Sequence, residues 1–172
     1  MRDDTIVNPR TGQTMVFRQT AADTGGTLLQ IECFHEPGGG REPVHTHPDQ
    51  ESRCEILEGR LGFLIDGRRV VAGPGEVVTV PAKVAHSFWV EGETRAHYIQ
   101  EFRPALDSER FFRTLFALAA EGKLNEQGMP SPLALPRLVG AMGQAIRPVS
   151  PPWPILRIIA WVLAPAAWLR RT

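Results

Sequence analysis

Apolar and polar positions alternate over short stretches between Thr14 and Glu101, and a period of two predicts strands. The clearest runs are residues 27–34, 44–47, 52–57, 61–65, 69–72, 77–80, 86–90 and 95–102. Turn chemistry separates them. Pro37-Gly-Gly-Gly40, Glu58-Gly59 and Gly73-Pro-Gly75 break the pattern, and Asp66-Gly67 is a strong signal for a two-residue hairpin turn. Short strands punctuated this closely predict an all-β sandwich or closed barrel.

The period changes after Arg103-Pro104. Phe111, Phe112, Leu115 and Phe116 recur at helical spacing, so a helix is expected over residues 108–120, capped by Asp107 or Ser108 and ended by Gly122. Residues 125–132 read as a loop. A second helix is expected over 133–146, with Pro136 in its first turn. Residues 148–154 form a Pro-rich spacer around Trp153, and a last helix runs from near Pro154 toward Arg170. Residues 158–169 are apolar without interruption, but such a stretch of helix spans about 18 Å where a bilayer core needs about 30 Å. This helix is expected to dock on the rest of the chain or on a partner subunit. The alternative is a weak membrane-surface contact through its two Trp and the basic end Arg170-Arg171.

Formal net charge is zero, which removes the electrostatic case for a nucleic-acid partner. With 42% apolar residues, an ordinary core is expected. Cys33 and Cys54 make no disulfide framework, and residues 1–10 are polar with no apolar signal core, so the cytoplasm is the expected location.

Candidate chemistry sits on the strands. His45 and His47 are two apart, so their side chains share a face and can converge on one ion. A strand offers no closer third ligand, and His86, after Pro81 at the start of another strand, is the best candidate from elsewhere.

Here the chain resembles the cupin superfamily. Its first motif is matched by Gly39, His45-Thr-His47, Glu51 and the closing Gly59, and its second by Gly75, Pro81 and His86. The resemblance covers roughly residues 25–103. It implies a cupin double-stranded β-helix (a jelly-roll barrel) over residues 1–104, with core motifs at 39–90, followed by a helical extension of about three helices over 105–172. It also implies a homodimer and one divalent metal ion, of which Fe, Zn, Ni, Mn and Cu are all compatible with the ligands. The implied metal ligands are His45, His47, His86 and Glu51.

Three departures stand out. Lys83 replaces a usual glycine and Val90 a usual asparagine. Ser52 stands where the metal-binding Glu is expected, so Glu51 ligates only from a turn or bulge before the regular strand. Three neutral imidazoles would leave an ion its full double charge and open positions for water, substrate or dioxygen. Cys54, Phe63 and Phe88 are expected to line the substrate pocket, with His35 and His97 on neighbouring strands. The leading function is a metal-dependent, dioxygenase-like enzyme for a small organic molecule. The alternatives are a non-catalytic ligand-binding or sensing module and a scaffold for assembly.

Overall fold

The computed structural model describes residues 4–125 and 128–169, and these carry eleven strands and four helices. One antiparallel sheet has the order β1 (Thr5–Val7), β2 (Thr14–Gln19), β3 (Leu29–His35), β10 (Ala96–Arg103), β5 (Glu51–Glu58) and β8 (Val77–Val80). The second has the order β11 (Arg147–Pro148), β4 (His45–Thr46), β9 (His86–Val90), β6 (Leu61–Ile65) and β7 (Arg68–Ala72). Alternation decides which faces meet. Leu29, Ile31, Cys33 and His35 of β3 are buried while the residues between them are half-exposed. Ile31, Cys33, Tyr98 and Phe102 from the first sheet share one apolar cluster with Leu61, Phe63 and Ala72 from the second. The two sheets therefore pack face to face, as the period of two demands.

A one-turn helix, α1 (Ala21–Thr24), leads into Gly25 and β3. The tail supplies α2 (Ser108–Ala120), α3 (Leu135–Met142) and α4 (Trp153–Leu169). Phe116 of α2 packs on the inter-sheet core, Phe111 and Leu118 meet Leu138 of α3, and Val139 of α3 meets Leu156 and Ala160 of α4. The tail thus forms a helical layer over the sheets. Gln50 ties it down: its amide donates to the carbonyls of Pro104 and Ala105 and to the Ser108 hydroxyl.

The tail departs from expectation at both ends of its helices. Neither Asp107 nor Ser108 caps α2 with its side chain. Ser108 is bonded to Gln50, and the Asp107 carboxylate instead accepts the Gln144 N–H and pairs with Arg110. The second helix stops at Met142 rather than running to residue 146. Gly143 has φ +47°, and a Cβ there would overlap the Asp107 carboxylate. Only glycine permits that bend. The chain then turns back, and Arg147–Pro148 becomes a strand paired with His45–Thr46. Helix α4 continues through Pro165. The expected end at Arg170 lies outside the described residues.

Backbone strain at two positions predicts opposite effects. Gly143→Ala is expected to lower the unfolding free energy by about 2 kcal/mol, because the new methyl group needs the Asp107 carboxylate to move. Lys83 holds φ +70°, so Lys83→Gly is expected to raise it by about 0.5 kcal/mol. A shift of the urea midpoint at constant slope checks both.

Candidate metal centre

Strands β4 and β9 are neighbours, and their register sets His45 directly opposite His86. His47 follows two residues later on the face of His45. All three side chains are buried, and their ring centroids lie 4.4 Å (His45–His86), 5.2 Å (His47–His86) and 5.2 Å (His45–His47) apart. Each offers one ring nitrogen within 4.8 Å of the other two.

Which nitrogen is free follows from the hydrogen bonds. His45 Nδ1 lies 2.9 Å from the Pro43 carbonyl, His47 Nδ1 2.6 Å from Ala145 O, and His86 Nδ1 2.9 Å from Val84 O. A carbonyl only accepts, so each Nδ1 carries the proton and donates it. The three Nε2 atoms are left with lone pairs, the arrangement of metal-bound histidines. Protonation does not compete near neutral pH. Burial pushes His45 down to about 3, helped by His86 and His47 nearby, and pushes His47 down to about 4. Burial also lowers His86. One ion between the three rings could be held by all three nitrogens. The donor set fits a divalent ion.

Glu51 lies outside this cluster. It is exposed and paired in register with Arg103, inside β5 rather than in a bulge before it. Alternation turns Ser52, Cys54 and Ile56 inward instead. The Ser52 hydroxyl accepts a hydrogen bond from Gln100 at 2.9 Å.

The histidines open on a cavity of about 220 Å³ between the sheets and the helical layer. Cys54, Phe63 and Phe88 all line it. Burial raises the Cys54 and Cys33 thiols, so both are protonated and unreactive at neutral pH. His35 also lines the cavity, and burial lowers it to about 4; its Nδ1 has no hydrogen-bond partner among the described residues. His97 faces the other way, stacked on Phe34 and bonded to Glu32.

Comparisons with known proteins bear on the fold. Residues 33–100 match the family model for the cupin domain. That stretch is a cupin domain. A stretch of 63 residues is 30% identical to a quercetin 2,3-dioxygenase of Bacillus subtilis, covering 37% of the chain but only 19% of that relative. Among solved structures, one from Thermotoga maritima described as a predicted oxalate decarboxylase gives a TM-score of 0.52 at 20% identity, covering 58% of this chain and 90% of that one. KdgF from a Halomonas species gives 0.49 at 17% identity, covering 57% and 85%.

Within the cupin, backbone geometry accounts for two motif glycines. Gly59 has φ +72°, and a Cβ would overlap the Arg95 carbonyl. Lys83 adopts the positive φ that glycine usually supplies, and its N–H donates to the His47 carbonyl at 2.7 Å. Two features of the site escaped sequence reasoning. The Ala145 carbonyl that orients His47 comes from 98 residues away. The other is Glu42, which lines the cavity and is pushed up to about 8 by burial alone. Its position three residues before His45, in the loop entering β4, was the available signal.

Purified protein is expected to hold one divalent ion per chain, and His45→Ala to weaken binding by about 100-fold or more, measured by competition with a chelating dye. Without metal, the neutral histidines make stability depend on pH. An unfolded histidine titrates near 6.5, whereas His45 and His47 titrate near 3 and 4 in the fold. Their contribution is complete above pH 6.5 and is lost as pH falls toward 4, because the unfolded chain then binds more protons. Urea titrations of metal-free protein across that window check the sign.

Proposed function

We propose that this cupin is a metal-dependent enzyme, dioxygenase-like in chemistry, acting on a small and largely apolar organic molecule held in the cavity. The observation that carries the reading is three Nε2 lone pairs facing one cavity that also holds an uncommitted carboxyl group. A divalent ion on His45, His47 and His86 would supply Lewis acidity and, if redox-active, a route to dioxygen chemistry. The partial match to a quercetin 2,3-dioxygenase supports the oxygenase class.

The chain's own residues supply the rest. Phe63, Phe88, Phe102 and Phe112 line the cavity, favour an apolar substrate body and keep bulk water away from it. Glu42 handles the proton. Its carboxyl is desolvated, and no hydrogen bond or charge partner contributes to its shift. Burial raises its pKa to about 8 in the metal-free fold, which makes it a stronger base than an exposed carboxylate. The His35 ring lines the same cavity and, held neutral by burial, adds no charge to it.

A non-catalytic binding module is the second reading, and Ser52 at the usual carboxylate position favours it. Oxygen uptake by the iron-loaded protein, screened over phenolic and enolisable small molecules, separates the two. Uptake with at least one compound supports the enzyme. Tight binding with no turnover across the panel leaves the binding module. For an active pair, Glu42→Gln is expected to keep full metal content but lose roughly 100-fold or more in kcat. The rise of kcat/KM with pH that Glu42 contributes should vanish in that variant, since the base works only when deprotonated. His86→Ala should lose metal and activity together.

A further inference from the structure

Helix α4 turns its apolar bulk outward. Its inward stripe is narrow, with Leu156 and Ala160 buried against Val139 and one helical turn between them. The larger side chains face solvent. Ile158 is 62% exposed, Trp161 78% and Val162 61%, with Ile155 and Ile159 beside them. A contiguous apolar face of this size is not left to water without a partner.

The charge of the surrounding chain says which partner. Residues 127–172 contain Arg137, Arg147, Arg157, Arg170 and Arg171 and not one Asp or Glu, although the whole chain is neutral. All the compensating negative charge therefore lies in residues 1–126. Arg137 is paired with Glu121 and Arg147 stacks on Trp153. Arg157 is exposed on α4 itself and makes no ion pair among the described residues. Arg170 and Arg171 directly follow the helix in sequence, outside the described residues. Arg157 is the only charged residue in the α4 sequence, so a second copy of the same face would bring like charges together. A surface of anionic lipid headgroups over hydrocarbon complements both properties.

We propose that α4 docks this protein on an anionic lipid bilayer, lying in the membrane plane with Ile158, Trp161 and Val162 immersed below the headgroups. Crossing is excluded on length: no helix among the described residues is long and apolar enough to span a membrane. The inward stripe keeps α4 against α3, so only its outer face meets lipid. Since Leu156 also lines the cavity, docking sets the cavity's helical wall beside the bilayer.

The test uses the full chain and vesicles of phosphatidylcholine with or without phosphatidylserine. Wild-type protein should float with the mixed vesicles at low salt, bind the neutral ones about tenfold less, and show tryptophan quenching by brominated lipid. Trp161→Glu should lower partitioning by roughly tenfold or more, with an unchanged far-ultraviolet spectrum because the side chain is exposed. Arg157→Glu should reduce only the preference for anionic lipid. If Trp161→Glu does not fold, wild-type quenching decides alone. Absence of both flotation and quenching overturns the proposal. So does a stable solution dimer that Trp161→Glu dissociates, which would assign the face to a second copy.

Discussion

Three imidazoles share one buried pocket, and the fold tolerates them because none carries a charge. Placed this close in a weakly polar interior, three imidazolium ions would repel strongly and forfeit their hydration. Neutrality has a structural cause: each ring donates its Nδ1 proton to a backbone carbonyl, which leaves Nε2 bare and fixes the ring plane. Two of these carbonyls, Pro43 and Val84, sit two residues before their own histidines, so the local strand geometry provides them. The third belongs to Ala145, and the tail must return to the sheet to deliver it. The bend at Gly143 and the pairing of Arg147–Pro148 with β4 therefore serve the site as much as the packing.

The same low polarity acts in opposite directions on the other groups of the cavity. It keeps imidazoles unprotonated and carboxyls protonated, since in each case it disfavours the charged form. Glu42 and the histidines are thus set apart in role by chemistry rather than by separate environments. The thiols of Cys33 and Cys54 are held protonated by the same effect, which makes them lining rather than nucleophiles. Had a carboxylate occupied position 52, the site charge would fall by one and a further ion ligand would face inward. Ser52 leaves that direction open and spends its hydroxyl on Gln100 instead.

The helical layer has two distinct faces. Inside, Phe111, Leu138 and Leu156 close the cavity and Gln50 pins the start of α2. Outside, α4 presents isoleucine, valine and tryptophan. A helix buried against protein puts its bulkiest apolar residues inward. Here the inward stripe includes alanine while the large residues point out, an inversion that packing within this chain does not explain.

Much of this was legible along the chain. Alternation in β3 and β5 predicted which residues face inward, including that positions 52 and 54 would share a side and 51 would not. The histidine spacing and the two glycine-bounded motifs marked the three rings that the fold brings together. These are local matters, decided by a period of two and by turns that only glycine permits. What the sequence did not disclose has a common cause. The stop at Met142, the strand at Arg147–Pro148, the carbonyl of Ala145 and the desolvated Glu42 all depend on which distant segments come to lie beside them. A residue such as Gly143 bends the chain because Asp107 occupies the space its side chain would need, and no local pattern encodes that neighbour. Sequence alone determined the strands, their faces and the three histidines that cluster; tertiary structure decided their protonation, their orientation and the cavity they open on, because each is set by burial and by contacts across the chain.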